Sequence, residues 1–164
     1  MPVLSSTKDP ENLTLTFVAE FDAPRERVWQ VWEDPRQLER WWGPPGYPAT
    51  FDQHEFRPGG YSTYYMTTPE GERPAGWWRM VTVDPPSRIE LEDGFADENG
   101  DPVEGMPPGR VEVTFDEIDG RTRMTTVNRF VSVEQMEQML QMGMEEGMRE
   151  AMSQIDGVLA ESRV

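Results

Sequence analysis

From residue 13 to 21 apolar and polar side chains alternate, with Leu13, Leu15, Phe17, Ala19 and Phe21 on one side and Thr14, Thr16, Val18 and Glu20 on the other. That is the period of a strand with one buried face. The twelve residues before it are polar, hold two prolines and show no period, and residues 1–12 read as a flexible leader. After the strand, Pro24 suits a first helical turn, and Val28, Trp29, Val31 and Trp32 recur at helical spacing, predicting a short helix that ends near Asp34. Pro35 reopens a second short helix through Leu38, Trp41 and Trp42, which GPPG at 43–46 stops.

Six further strands fit between residues 47 and 131: 47–56, 61–67, 75–83, 88–94, 110–118 and 122–131. The turns between them are RPGG, PEGE, DPPS, a long acidic loop at 96–109, and DGR. Short hairpin connections without intervening helices predict an antiparallel meander. Val111, Val113 and Phe115 face one way and Glu112, Thr114 and Asp116 the other, so one sheet face is wet. The pairs Tyr64–Tyr65 and Trp77–Trp78 put an aromatic on both faces of their strands, and spacing does not choose the inward one. Ser132 with Gln135 three positions on reads as a capping arrangement for the longest helix, to about Glu161. Met136, Met139, Leu140, Met144, Met148, Met152, Ile155 and Leu159 form its inward stripe. Gly143 and Gly147 interrupt that stripe at a cost of about 1 kcal/mol each against Ala, and with Ala151 they point first to close packing of the helix on the sheet and otherwise to ligand space over the helix.

Composition changes the picture of the core. Leu, Ile, Val and Phe supply only 31 of 164 residues, while 11 Met, 6 Trp and 4 Tyr raise the large apolar set to 52. The interior is therefore built from thioethers and rings, and Met side chains repack around varied shapes. The net charge of −16 comes from two segments, −10 from 84–119 and −6 from 132–161, which suits solubility and makes nucleic acid a poor partner. The absence of cysteine excludes disulfides, thiol nucleophiles and thiolate metal sites. No apolar run approaches a membrane span and no signal peptide opens the chain, so a cytoplasmic location is expected.

Strand, two short helices, antiparallel meander and long C-terminal helix is the order of the helix-grip fold. The motifs FDAPRERVWQVW (21–32), RWWGPPG (40–46), FRPGGYS (56–62), DPPSRIEL (84–91) and GMEEGM (143–148) carry a closer likeness. The chain resembles the SRPBCC (START-like, birch-pollen-allergen-related) superfamily, in the group named after the activator of the heat-shock protein 90 ATPase. The resemblance implies an α+β fold: a curved antiparallel sheet of about seven strands wrapped around the long C-terminal helix, with residues 13–164 as one domain. It also implies an internal apolar cavity between sheet and helix. The expected lining is Trp41, Trp42, Phe51, Tyr65, Trp78, Met80, Phe95, Phe115, Met144 and Met148.

Dedicated catalytic chemistry is sparse. His54 is the only imidazole and reads as structural or solvent-facing; one His and no GxSxG argue against a serine hydrolase. Asp97, Asn99 and Asp101 begin like a calcium loop, but Pro102 and Pro108 stand where Gly and Glu are required. No metal or cofactor is expected, and the acidic loop reads as a lid beside the cavity mouth. The favoured function is an intracellular binder of a small apolar or aromatic ligand. The resemblance leaves two alternatives, a chaperone-associated interaction module and a polyketide cyclase or dehydratase in which a cavity carboxylate, hydroxyl or Arg79 polarises a ketone. A homodimer is compatible with the fold and specified by no residue.

Overall fold

A computed structural model of the chain describes residues 3–105 and 107–161. Residues 1, 2, 106 and 162–164, which the expected leader, acidic loop and domain end include, lie outside the described residues. The elements run β1 (Val3–Asp9), β2 (Thr14–Phe21), α1 (Arg25–Glu33), α2 (Pro35–Trp41), β3 (Ala49–His54), β4 (Tyr61–Met66), β5 (Ala75–Asp84), β6 (Arg88–Ala96), β7 (Gly109–Ile118), β8 (Arg121–Arg129), α3 (Val133–Gln141), α4 (Met144–Ser153) and α5 (Ile155–Glu161). All eight strands form one antiparallel sheet in the order β1-β2-β8-β7-β6-β5-β4-β3. Only the segment carrying α1 and α2 breaks the meander, crossing from β2 to the far edge at β3.

The alternating patterns land where their period puts them. Leu15, Phe17, Ala19 and Phe21 of β2 are fully buried, as are Val113 and Phe115 of β7. At the adjacent tryptophans, Trp78 faces the core with no exposure, while Trp77 lies on the outer face, stacked on Tyr61 at 5.9 Å and 11° between planes. The tyrosines divide the same way: Tyr64 stacks inward on Phe51, and Tyr65 lies outside under the Arg73 guanidinium.

Two expectations are corrected. Residues 3–9 are the edge strand β1, paired with β2 from Val3↔Ala19 to Asp9↔Thr14, so the sheet has eight strands where about seven were expected. Both faces of VLSSTKD are largely polar, and what fixes the strand is backbone pairing together with contacts to α4: Ser6 Oγ donates to Glu145 at 2.7 Å, Lys8 pairs with Glu145 at 3.3 Å, and Arg149 donates to Ser6. β1 carries a register shift between Val3 and Ser5, and β3, at the opposite edge, one between Phe51 and Gln53.

The second correction concerns the C-terminal helix, which is three segments. Ser132 caps α3 as expected, accepting from the Gln135 N–H at 3.1 Å. Met142 closes α3, and Gly143 takes φ +87°, a left-handed conformation that ends one helix and begins the next. Its glycine is required by that backbone and not by close packing, since an added Cβ would meet nothing within 4 Å. Gly147 likewise meets only the Pro44 ring, at 3.8 Å. The break divides the work of the stripe. α4 packs against β1, β2 and α2, α5 packs against α1 and α2, and α3 touches chiefly α4. Arg27 donates to the Val158 carbonyl at 3.1 Å and Gln154 to the Gly43 carbonyl at 2.7 Å, fastening this end to α1 and to the GPPG turn.

Candidate functional site

Because α3 stands away from the sheet, a cavity of about 470 Å³ opens between it and the inner face of β4, β6, β7 and β8. Tyr64, Phe95 and Phe130 supply aromatic walls, Met139 and Met144 a thioether wall, and Gly105 and Pro107 of the acidic loop border it. The loop is internally braced: the Asp97 carboxylate accepts from the backbone N–H groups of Asn99 and Asp101 at 2.9 and 3.0 Å. Gln135 joins α3 to the sheet and the loop, accepting from Val131 N–H at 2.8 Å and donating to the Pro107 carbonyl at 2.7 Å. Asn128 donates to the Leu15 carbonyl at 3.2 Å.

One carboxyl group belongs to the wall of this cavity from within the sheet. Asp93 of β6 stands between Trp78 of β5 and Gly109 of β7 in the strand register. Gly109 matters by what it lacks: a Cβ there would sit 3.0 Å from Asp93 Oδ1. Asp93 is half-buried and its carboxyl borders the cavity, but the packed strands around it take away much of its water, and this desolvation raises its pKa from 3.8 to about 6. Among the described residues the only hydrogen bond on this carboxyl that opposes the shift comes from its own backbone N–H. Its neighbour Tyr64 is also pushed up, first by burial and then by the Asp93 charge. The indole N–H groups of Trp42 and Trp78 approach the Tyr64 hydroxyl and favour its ionised form, yet neither makes a hydrogen bond of good geometry. By contrast, Trp41 Nε1 donates to the Val31 carbonyl at 2.8 Å.

The expected lining is largely displaced. Of the ten residues, Phe95 and Met144 line the cavity. Trp41, Trp42, Phe51, Trp78, Met80 and Phe115 are buried in the close-packed core, and Met148 packs against it. Tyr65 lies on the opposite face of its strand from the cavity residue Tyr64. The aromatic excess thus fills the β3–β5 end of the sheet: Trp42 and Trp78 meet edge-on at 4.8 Å and Trp32 and Trp41 at 4.9 Å. Sequence reasoning passes over Asp93 because carboxylates are numerous in this stretch. A signal for it exists in the strand period, since Ile89, Leu91, Asp93 and Phe95 share one parity and the first two are buried.

His54 has both ring nitrogens engaged. Nε2 lies 2.9 Å from the Trp32 carbonyl, which can only accept, so Nε2 carries the proton and Nδ1 accepts from the Ser62 hydroxyl at 2.8 Å. Burial lowers its pKa, favouring this neutral form.

The chain is similar along its whole length to solved structures. A solution structure of a protein from Arthrobacter aurescens is 54% identical, covering 98% of this chain and 94% of that one, with a TM-score of 0.92. The crystal structure of protein Ms6760 from Mycobacterium smegmatis is 47% identical, covering 99% and 100%, with a TM-score of 0.91. The AHSA1 protein from Silicibacter pomeroyi, at 23% identity over 90% of this chain and 97% of that one, shares the fold with a TM-score of 0.73. No curated protein matches. Residues 22–160 match the model of the Activator of Hsp90 ATPase homolog 1-like protein family, and the chain belongs to that family.

Proposed function

We propose that this protein is an intracellular binder of a small apolar or aromatic molecule, held between the sheet and α3. The cavity carries the reading. Its volume of about 470 Å³ falls within the ~300–1,000 Å³ usual for small-molecule sites, and its apolar walls are joined by polar groups such as Asp93, Asn128, Gln135 and Gln138. Thioether side chains at Met139 and Met144 adapt to ligands of differing outline. The left-handed break at Gly143 supports the same reading, because an unbroken helix would run on along a single axis where α3 now stands off from the sheet.

A thermal-shift screen of the full chain against fatty acids, polycyclic aromatics and steroids tests this. A ligand that binds only the folded state at about 100 times its Kd raises stability by roughly 2.7 kcal/mol. The expected result is a saturable rise in Tm with some of these compounds and its loss in Met139→Trp, which fills the space. No shift with any compound, at concentrations up to their solubility, overturns the proposal.

A further inference from the structure

We propose that the cavity selects ligands bearing a basic nitrogen: an apolar or aromatic body enclosed by Phe95, Phe130, Met139 and Met144, with a protonated amine set against the Asp93 carboxylate. This rests on the cavity reading above and adds the chemical class of the ligand.

The arrangement around Asp93 leaves a cation as the missing partner. Among the described residues no ion pair and no side-chain hydrogen bond engages its carboxylate, although ion pairs are common elsewhere on the sheet. Arg110 and Arg129 border the cavity, but both are exposed and their guanidiniums are turned away from it. Arg129 and Arg110 alternate with the inward residues Asn128 and Gly109, and they pair on the outer face with Glu112 at 2.9 Å and Glu90 at 3.9 Å. From the other elements, β4 presents the Tyr64 hydroxyl, β5 the uncharged Trp78, and α3 the amides Gln135 and Gln138 with Glu134 at its exposed start. None of these carries positive charge. Gly109 keeps space free at the carboxyl oxygen, where any side chain would crowd it.

The energetics point the same way. A pKa of about 6 leaves Asp93 mostly ionised at neutral pH. A purely apolar ligand would strip the remaining water from that charge, and an anionic one would add repulsion; an amine replaces the water with a charge-assisted hydrogen bond. The field outside assists, since the loop at 96–109 that borders the cavity carries Asp97, Glu98, Asp101 and Glu104 and no basic residue, and steers cations toward it.

Three probes with one ring system separate the outcomes: 2-(2-naphthyl)ethylamine, 2-(2-naphthyl)ethanol and 2-naphthylacetate, each titrated calorimetrically into the full chain at neutral pH. The amine is expected to bind at least about tenfold more tightly than the alcohol, the range for a hydrogen bond to a charged group, and the acetate most weakly. The preference should persist at about 0.5 M salt, where a diffuse surface field is screened. Asp93→Asn should bring amine and alcohol to similar affinities while alcohol binding is retained. Equal affinities in the unaltered protein, or a preference that survives Asp93→Asn or vanishes in salt, overturn the anchor and leave the cavity reading standing. Failure of all three probes to bind overturns the anchor, and overturns the cavity reading as well only where the thermal-shift screen is also flat. The comparison within the unaltered protein holds even where the variant folds poorly.

Discussion

The two ends of the sheet's inner face are built on opposite plans. At the β3–β5 end, Trp32, Trp41, Trp42, Phe51 and Trp78 meet at ring distances of 4.8 to 6.2 Å under α1 and α2, with no side chain to spare. At the β6–β8 end, glycines at 94, 105 and 109 border a space of about 470 Å³ under a helix that stands away. The difference teaches that in this fold rigidity and capacity are separated along one sheet. The Trp32, Trp41, Trp42 and Trp78 rings that would make good ligand walls hold the frame, and the ligand space is opened by the missing side chain of Gly109 and a helix break.

The largest test of that division is Trp78→Ala. The side chain is fully buried among Trp32, Trp42, Phe51 and Tyr64, and its removal should cost about 3–5 kcal/mol, read from urea denaturation. A loss below about 0.5 kcal/mol, the usual scale of a surface change, would break the contrast by showing slack at the packed end.

Next in size is Asp93→Asn, which should stabilise the protein at about pH 7.5, above the folded pKa. The folded pKa of about 6 lies above the reference of 3.8, so the native state binds the proton more tightly than the unfolded chain. The Asp93 contribution to stability is therefore fullest below the reference value of 3.8 and is lost as pH rises through about 6. A shift of about two units sets a ceiling near roughly 3 kcal/mol on the penalty at neutral pH, and water in the cavity reduces it. The gain from Asn should shrink toward zero near about pH 4, as measured by denaturation at both values. A pH-independent difference would contradict the assignment of a buried, costly charge to this end.

The smallest effect belongs to Gly143→Ala. Glycine to alanine usually strengthens a helix, but φ is +87° here, and the expected result is a loss of about 1 kcal/mol as a lower Tm. A gain in stability would mean that α3 and α4 can join into one helix, and the cavity should then narrow with loss of ligand binding.

Period-two patterns make β2 and β7 legible in the sequence, because burial on one face is written into every second residue. The edge strand β1 is not legible in this way, since backbone pairing to β2 and the Glu145–Lys8 contact leave no hydrophobic period in VLSSTKD. The apolar stripe from Met136 to Leu159 continues across Gly143 as though the helix did, so spacing alone does not find the break. For the site, the residue types are legible and their distribution is not. Tryptophan and methionine advertise a deformable interior, but whether a ring fills space or walls it depends on what the facing helix does. Asp93 follows the parity of Ile89 and Leu91, and only the register of β6 against Trp78 and Gly109 distinguishes it from the acids around it.

The register shifts in β1 and β3 bear on how these molecules behave in company. An open sheet ends in two rows of unsatisfied backbone groups, and a regular edge strand offers them to the next copy as a template. Here both terminal strands are irregular, one between Val3 and Ser5 and the other between Phe51 and Gln53. An incoming strand would have to flatten the kink before the ladder could extend. The sheet thus ends at eight strands by its own geometry, which guards a concentrated solution of the protein against stacking edge to edge into fibres.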